Sequence, residues 1–446
     1  MSSKSIIAKN LASALLAGAW ALDDMVQRGK EACGRPGNWL RPLVRRVLDH
    51  FGADTSCLDV EDVSRFISLD QGFSRAVARA SFRRELLLVR YFWVDPVMSP
   101  RLGQPQTWPI PSLATPTQVA DWLQISPEEL NWLADTQGRV RRREMDRQHY
   151  VYRWVQKRRG RRLLEIPKKR LRAAQQRILR EILDHIPPHE CAHGFRRGRS
   201  ILSYVQSHAR KHILLHLDLR DFFLSIPASR IHAMFRTAGY PREVSRLLTG
   251  LCSHVTPVEV WCSVKTEQSI LSAWQERQLF VTPHLTKGES NSPGLSNLCA
   301  HRFDRRVAGL ARCVNANYTR YADDVLLSGE EDLERSWRRI YHQICVIALE
   351  EGFEINTRKT KVMRRGSRQH VAGVVLNEHP NVKRVELDQL KATLHNCARH
   401  GPDDQNREGH SDFRAHLLGR IAYVQMLNPT RGQKLMKLFE QIEWKD

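Results

Sequence analysis

The sequence predicts an α+β fold, with a helical N-terminal region, short strands in the centre and a helical C-terminal end. Residues 1 to about 110 carry apolar residues at spacings of three and four, which is typical of amphipathic helices. The centre contains apolar, β-branched and aromatic runs typical of strands, at 213–219 and 318–327. From Val385 onward the spacing is helical again. These observations predict helices at both ends and a sheet between them.

The remaining elements follow from the same spacing of apolar residues. The predicted helices span 11–26, 39–51, 60–88, 117–123, 127–133, 171–186, 230–237, 241–251, 333–352, 385–400, 413–426 and 431–444. A strand and turn are predicted at 353–363, and a hairpin with a basic tip at 157–162. The paired helices 117–123 and 127–133 could pass for a DNA-reading helix-turn-helix, but they are short of basic residues.

Positive charge is the most unusual feature of the composition. Of the 446 residues, 41% are hydrophobic and 26% are charged, so a sizeable core is available. Lys and Arg exceed Asp and Glu by 22 residues, and the isoelectric point is near 10. Such a balance is typical of proteins that bind nucleic acid. A membrane-surface protein can be equally basic, but no basic amphipathic anchor stands out.

The nine cysteines occur singly, without a Cys-x-x-Cys pair. This pattern argues against structural zinc and against disulfides, and it predicts a reducing, cytoplasmic location. The apolar stretch 6–21 is interrupted by Lys9 and Asn10, and no run of about 18 apolar residues exists. We therefore expect neither a signal peptide nor a membrane partner.

The stretch that organises the chain reads Tyr-Thr-Arg-Tyr-Ala-Asp-Asp-Val-Leu-Leu and runs from Tyr318 to Leu327. It predicts two short strands joined by a turn that presents Asp323 and Asp324. Neighbouring half-buried carboxylates repel each other, and a divalent cation is the usual reason that they stay ionised. For such a pair taken alone, an ordinary acidic turn is the alternative interpretation.

A second acidic strand favours the metal hypothesis. The run 213–219 carries Asp218 near its end, and a carboxylate in so apolar a strand is costly unless it is paired or bound to metal. Two Mg²⁺ ions held by carboxylates from separate strands stabilise both the attacking and the leaving oxygens of phosphoryl transfer. Asp218, Asp323 and Asp324 therefore predict a nucleotidyl-transfer site.

These segments resemble the motifs of reverse transcriptases in order and spacing. The matching segments are fingers motifs at 166–168 and 193–200, motif A at 217–223, motif B at 288–298, motif C at 318–327, and motif D with its following segment at 356–360 and 370–377. The resemblance extends from about residue 150 to the C-terminus. It implies a right-hand polymerase of fingers, palm and thumb with a helical N-terminal extension.

Within this family the chain most resembles the bacterial retron enzymes. Those enzymes carry Asn-Ala-x-x-His before motif A and Val-Thr-Gly after motif D. This chain keeps the His as His208 and the Val and Gly as Val371 and Gly373, but not the Asn, Ala or Thr. Motif B departs as well, because Thr286 and Lys287 stand where the family usually has Pro-Gln.

The resemblance implies a role for each matching residue. The catalytic and metal-binding residues would be Asp218, Asp323 and Asp324, with Lys359 as a further catalytic residue and the Leu219 backbone as a further metal ligand. The nucleotide-binding residues would be Asp221, Phe223, Lys168, Arg170, Lys287 and Gly288. The RNA-binding residues would be His208, Val371, Gly373, Lys383 and Arg384.

Three of these roles have a definite chemistry. Phe223 would occupy the steric-gate position, where a large ring leaves no room for a ribose 2′-hydroxyl, and Phe222 would be a core residue. Asp221 would present its backbone to the triphosphate. Lys359 would donate a proton to the leaving pyrophosphate, and a solvated lysine is the alternative.

The retron resemblance implies an RNA-directed DNA polymerase that copies a structured non-coding RNA into single-stranded DNA linked to RNA. Its ligands would be dNTPs, two Mg²⁺ ions and an RNA–DNA duplex, and its setting an anti-phage defence system with an effector protein. The alternatives are a group II intron-like or other defence-associated reverse transcriptase, and a catalytically idle RNA-binding module. An idle module need not keep all three acids, which are present here.

Four segments are predicted along the chain. They are a helical N-terminal extension at 1–110, a short helical pair and linker at 111–148, fingers and palm at 149–384, and a helical thumb at 385–446. The densest basic runs, at 139–143 and 157–162, are predicted to neutralise phosphates.

Overall fold

The structure is a computed structural model that describes residues 3–34, 37–52, 58, 60–92, 98, 108–140, 148–156, 161–262 and 277–444. The basic runs at 139–143 and 157–162 lie mostly outside these residues. The described residues form two compact units. The first unit consists of 1–185, 227–283 and 288–290, and the second of 186–226, 284–287 and 291–446. Both units take residues from the predicted 149–384 segment, so the bounds of this segment differ from those of the compact units.

The described elements are helices and short antiparallel strands. The helices are α1 (Ser3–Leu16), α2 (Leu22–Cys33), α3 (Leu40–Phe51), α4 (Val60–Leu69), α5 (Gln71–Arg83), α6 (Pro116–Leu123), α7 (Pro127–Ala134), α8 (Lys169–Glu181), α9 (Ile201–Val205), α10 (Ala228–Thr237), α11 (Arg242–Leu251), α12 (Val258–Cys262), α13 (Ser292–Cys299), α14 (His301–Cys313), α15 (Glu331–Glu350), α16 (Arg384–His400), α17 (Phe413–Leu427) and α18 (Pro429–Phe439). The strands are β1 (Tyr150–Gln156), β2 (Arg161–Pro167), β3 (Ile213–Asp218), β4 (Asn317–Tyr321), β5 (Asp324–Gly329), β6 (Lys361–Arg364), β7 (His370–Val371) and β8 (Val374–Val375). The mixture confirms the predicted α+β class.

Two predicted helices are each broken in two, for local hydrogen-bonding reasons. The predicted helix 11–26 is interrupted because the Arg28 guanidinium donates to the carbonyls of Ala14, Leu15 and Ala19 and so satisfies the end of α1. The predicted helix 60–88 is interrupted at Asp70, whose side chain accepts from the Phe73 amide and begins α5. Polar side chains that cap backbone groups therefore override the apolar spacing.

The first unit contains a helical core, formed by α1 to α5, and the β1–β2 hairpin. Buried residues of α1 to α5, including Leu11, Met25 and Leu43, form one hydrophobic cluster. In the hairpin, Tyr150 pairs with Pro167 and Gln156 with Arg161, as the apolar runs around the basic tip predict. The helices α10 and α11 were also predicted, and they belong to this unit.

The second unit is built on a four-stranded antiparallel sheet in the order β4-β5-β3-β6. Strands β3 and β5 are buried along most of their length, which their continuous apolar sequences explain. A second cluster, including Leu214, Leu326, Leu390 and Ile421, joins the sheet to the C-terminal helices. The helices α15, α16 and α17 lie within two residues of their predicted bounds, whereas α18 ends five residues earlier than predicted.

A buried ion pair fixes the turn between β4 and β5. Arg320 and Asp304 are both fully buried, and two guanidinium nitrogens each donate to a carboxylate oxygen at 2.7 Å. The third nitrogen donates to the Ala322 carbonyl at 2.9 Å, and the Tyr318 hydroxyl donates to Asp304 at 2.6 Å. Burial alone would lower the pKa of Arg320, but the charge of Asp304 and its hydrogen bonds raise it above its ordinary value. The guanidinium therefore stays charged and holds the turn.

We predict that Asp304→Asn will lower the free energy of unfolding by about 3–5 kcal/mol, because it leaves the buried Arg320 charge uncompensated. Urea denaturation followed by circular dichroism measures this loss. The double variant Asp304→Leu with Arg320→Met removes both charges and should recover part of it. A loss below about 1 kcal/mol for the single variant would show that the pair is not a structural constraint.

Candidate active site

The predicted acidic residues meet where β3 ends and β5 begins. Because these neighbouring strands are antiparallel, Asp218 pairs directly with Asp324 across the sheet. Asp323 lies in the turn before β5, and its carbonyl accepts from the Leu219 amide at 2.9 Å. The Asp218 carbonyl accepts from the Asn356 amide at 2.7 Å. One backbone hydrogen bond links the end of β3 to the acidic turn, and a second links it to the segment around Asn356, so the backbones of the three aspartates are fixed at one end of these strands.

The turn that carries Asp323 packs tightly against the segment around Gly194. Ala322 has a φ of 55°, in the left-handed region that residues other than glycine seldom adopt. A Cβ on Gly194 would lie 2.7 Å from the Ala322 amide nitrogen, so only glycine fits beside the turn. The Gly194 carbonyl is held in turn by the side-chain amide of Asn297 at 2.8 Å. The predicted fingers motif at 193–200 thus packs directly against the acidic turn.

The carboxylates repel one another electrostatically. Burial raises the pKa of Asp323 above its ordinary value, and the charges of Asp324 and Asp218 raise it further. A raised carboxyl pKa means that the ionised site carries a free-energy cost in the folded protein. A cation at this position would relieve that cost.

Two basic side chains hold individual carboxylates. The Lys359 ammonium donates to Asp218 at 2.7 Å, and His216 Nε2 lies 2.8 Å from Asp324. Burial alone would lower the pKa of Lys359, but its hydrogen bond to Asp218 and the nearby carboxylate charges raise it. The sequence analysis did not select His216. Its signal was the two-residue spacing to Asp218, which places both side chains on one face of β3.

The donor set fits magnesium by its chemistry. Asp218, Asp323 and Asp324 lie at adjoining backbone positions and carry the hard oxygen ligands that Mg²⁺ prefers, and burial together with the neighbouring carboxylate charges raises the pKa of Asp323. Across the residues that the structure describes, no three Asp, Glu, His or Cys side chains converge as a ready-made metal site. Two of the carboxylates instead point to Lys359 and His216.

Several predicted nucleotide-binding residues lie in the same unit as the acidic site. Asp221 has a φ of 46°, and its carboxylate lies 3.6 Å from the Lys287 ammonium. Phe222 is 2% exposed, as expected of a core residue. Phe223 is half-buried and packs against Phe222 with ring centroids 5.6 Å apart. Lys287, which departs from the family pattern, therefore contacts Asp221 by an ion pair.

An aromatic residue that the sequence analysis did not select lies beside Phe223. Phe195 is half exposed and has a φ of 57°, which is strained for a bulky side chain. Its ring centroid is 6.3 Å from Phe223 and 6.2 Å from Tyr321. The three rings border the acidic turn.

Three predicted nucleotide-binding residues belong to the first unit. Lys168 directly precedes α8, and its amide donates to the His149 carbonyl at 2.8 Å. Arg170 is largely exposed and lies 3.2 Å from Glu129. Gly288 has a φ of 134°, and a Cβ there would lie 2.7 Å from the Glu165 carbonyl oxygen. A close backbone approach therefore requires glycine at 288.

The predicted RNA-binding residue His208 has a fully buried side chain. Its two ring nitrogens lie 2.7 Å from Ser328 and 2.8 Å from Thr319. Burial, together with His193 and Lys211, lowers its pKa to about 3, so the ring is neutral. The His208 ring therefore links strand β4, through Thr319, to strand β5, through Ser328.

The other predicted RNA-binding residues lie around the β7–β8 turn. The Val371 side chain is buried in the core. Ala372 and Gly373 have φ values of 48° and 86°, which fit a two-residue hairpin turn of the I′ type. Lys383 lies 2.8 Å from Glu386, and Arg384 is almost fully exposed.

Among the described helices, none has the length and apolar character needed to cross a bilayer.

The comparisons with known proteins agree with this geometry. Residues 155–391, more than half of the chain, match the reverse transcriptase (RNA-dependent DNA polymerase) family. The chain is 39% identical to the retron Mx65 reverse transcriptase of Myxococcus xanthus over 293 residues, which are 65% of this chain and 64% of the relative. It is 32% identical to the retron Mx162 reverse transcriptase of the same organism over 341 residues, 73% and 66% of the two chains.

A more distant relative has the same description. The retron Ec86 reverse transcriptase of Escherichia coli is 27% identical over 280 residues, which cover 63% of this chain and 76% of the relative. The chain spans slightly less than two thirds of the Mx65 and Mx162 relatives. The matched family and these relatives show that the chain belongs to the reverse transcriptase family and, within it, resembles the bacterial retron enzymes.

Proposed function

We propose that this protein is an RNA-directed DNA polymerase of the retron type. The observation that supports it most is the register that sets Asp218 opposite Asp324, with Asp323 in the adjoining turn. Phosphoryl transfer by the two-metal route needs carboxylates from separate strands at one point. On this proposal the β4-β5-β3-β6 sheet is the palm of a right-hand polymerase, the 149–186 region contributes to the fingers, and the C-terminal helices form the thumb.

The three aspartates would hold two Mg²⁺ ions, with the Leu219 backbone carbonyl as a further ligand. When bound, the ions supply charge neutralisation at the attacking and leaving oxygens. The residues of the chain keep the carboxylates in place: Lys359 contacts Asp218 and His216 contacts Asp324. Because the pKa of Lys359 is raised, it is protonated at neutral pH, which a proton donor to pyrophosphate requires.

The residues around Phe223 would form the dNTP site. The half-buried Phe223 ring would exclude the ribose 2′-hydroxyl, and the strained backbone at Asp221 would face the triphosphate. Lys287 holds the Asp221 carboxylate, which supports a role for Lys287 in placing this turn. Lys168, Arg170 and Gly288, which belong to the first unit, keep their predicted nucleotide-binding role.

The template would be a structured non-coding RNA, and the product a single-stranded DNA linked to RNA. The retron names of the relatives support this choice, and the excess of 22 positive charges suits an RNA–DNA duplex. An anti-phage defence role with an effector protein follows from the same resemblance. A catalytically idle RNA-binding module is disfavoured because all three aspartates are present and adjoin one another. A group II intron-like or other defence-associated reverse transcriptase is the second candidate.

We predict that Asp323→Asn will abolish dNTP incorporation, with a loss of at least about 100-fold, because one carboxylate of the site is lost. Extension of a labelled primer annealed to RNA measures the rate of dNTP incorporation. RNA affinity should stay within about twofold, since Asp323 faces the reacting groups. The exposed acid Asp404 provides a matched control, Asp404→Asn. Wild-type extension by Asp323→Asn would refute the palm assignment.

The same variant should be at least as stable as the wild type in EDTA at neutral pH. The pKa of Asp323 is raised in the folded protein, so its ionisation costs stability as the pH rises through that pKa. Asparagine removes this cost. Thermal melting in EDTA and in millimolar Mg²⁺ measures both effects. Mg²⁺ should raise the melting temperature of the wild type more than that of the variant, and equal shifts would argue against metal binding here.

We predict that Phe223→Ala will raise rNTP incorporation relative to dNTP incorporation, because the ring no longer blocks the 2′-hydroxyl. Single-nucleotide extension with each substrate measures the ratio of the two kcat/KM values. Phe223→Tyr keeps the ring and is the matched control. Unchanged discrimination by an active Phe223→Ala variant would remove Phe223 from the gate.

We predict that replacing Lys383 and Arg384 together by Ala will weaken binding to the RNA encoded beside the gene at least about fivefold. Binding to an unrelated hairpin of equal length should fall less, because RNA recognition combines shape with phosphate contacts. Filter binding measures both affinities. Arg338→Ala with Arg339→Ala, exposed on α15, is the control. Equal losses on both RNAs would mean that these residues supply only general attraction.

A further inference from the structure

A groove lies between α16 and α17 in the second unit. It has a volume of about 440 Å³, within the range of about 300–1,000 Å³ that is usual for small-ligand sites. Glu386 lines it from α16, and His416, Gly419, Arg420 and Tyr423 line it from α17. We call it the Tyr423 groove. It combines an aromatic ring with a few polar groups and does not involve the acidic site.

The sequence of α17 leaves space in the groove. Ala415, Gly419 and Tyr423 are spaced four residues apart and therefore share one face of the helix. A Cβ on Gly419 would meet no atom within 4 Å, so the space above this residue is open. Tyr423 is 37% exposed. A flat ring can therefore enter the groove beside the Tyr423 ring.

A stack of rings continues from the groove. The His416 ring is parallel to that of His410, with centroids 3.8 Å apart and planes at 17°. Phe413 lies nearly parallel to His416 as well, at 6.2 Å and 11°. Flat aromatic faces next to cations are the surface on which unpaired bases stack.

The charge of α17 and α18 is complementary to phosphate, whereas α16 contributes the acidic residue Glu386, which pairs with Lys383. The helices α17 and α18 carry five Arg and Lys residues and no Asp or Glu. These cations are Arg414, Arg420, Arg431, Lys434 and Lys437. Within the part of the chain that the structure describes, Arg420 makes no hydrogen bond or ion pair. Its guanidinium is therefore available to an anionic ligand at the groove.

The groove adjoins the Val-Ala-Gly turn. A Cβ on Gly373 would lie 3.8 Å from the Tyr423 hydroxyl, and Lys383 contacts the groove residue Glu386 at 2.8 Å. The segment whose family resemblance implies RNA recognition therefore touches the groove. The turn and Lys383 therefore lie next to the groove.

We propose that the Tyr423 groove binds an unpaired nucleotide of a structured RNA, with the base against the Tyr423 ring and the phosphate facing Arg420. This proposal rests on the proposed function and identifies a contact that holds the RNA partner. A paired stem is too thick to enter a groove of this size, so the groove selects single-stranded positions such as loops and bulges. The selectivity for unpaired bases is the property to test.

The test compares single-stranded and duplex RNA. The probes are fluorescein-labelled single-stranded oligoadenylate and a blunt RNA duplex of equal length, titrated with full-length protein and followed by fluorescence anisotropy. Gly419→Leu fills the open space, and Tyr423→Leu removes the ring. Ala422→Leu adds the same side chain at an exposed position of α17 outside the groove and is the matched control.

We expect each groove variant to weaken single-strand binding at least about fivefold, which is the effect of losing one base-stacking contact, and duplex binding less than about twofold. The control should bind both probes like the wild type. Equal losses on both probes, or no loss by Tyr423→Leu, would overturn the proposal. If polyglutamate displaced the single-stranded probe as well as unlabelled oligoadenylate does, the proposal would also be overturned, and the groove would be assigned to an acidic peptide.

Two further measurements separate this proposal from the polymerase proposal. Asp323→Asn should bind the single strand like the wild type, since it lacks only a catalytic carboxylate. Failure of the wild type to extend an annealed primer would refute the polymerase, while the binding titrations would still decide the groove. Thermal melting by circular dichroism checks that Gly419→Leu folds, and Tyr423→Leu provides an independent variant if it does not.

Discussion

The buried pair of Arg320 and Asp304 is the constraint on which the acidic site depends. Each of the three guanidinium nitrogens donates a hydrogen bond, two to Asp304 and one to the Ala322 carbonyl in the turn itself. The Arg320 backbone also pairs with the fingers-motif segment, through the Cys191 carbonyl and the His193 amide. A turn with a strained alanine is thereby held by interactions that a solvent-exposed hairpin could not maintain.

The site stores electrostatic repulsion that the fold tolerates. Antiparallel pairing sets Asp218 against Asp324, and burial together with the charges of Asp324 and Asp218 raises the pKa of Asp323. Lys359 and His216 offset part of this repulsion by contacting one carboxylate each. Such a cluster lowers stability, a cost that the proposed cations would offset, which is the trade-off expected where function requires like charges close together.

The C-terminal helices combine two roles. Their apolar faces pack with the sheet in one cluster that includes Leu390, Ile421 and Leu435. The helices α17 and α18 carry five basic residues and no acidic residue. The same segment can therefore stabilise the unit through its core face while offering phosphate-binding charge on the other.

The sequence by itself determined the α+β class, most element positions and the acidic triad, because strand runs and the Tyr-Ala-Asp-Asp segment are local patterns. The apolar spacing did not predict the helix breaks after Leu16 and at Asp70. The side chains of Arg28 and Asp70 satisfy backbone groups at these breaks. Only the tertiary structure decided that His208 and Val371 are buried. It alone placed His216 on Asp324 and Phe195 beside Phe223. Burial and contact across distant segments depend on strand register and packing, which no local spacing encodes.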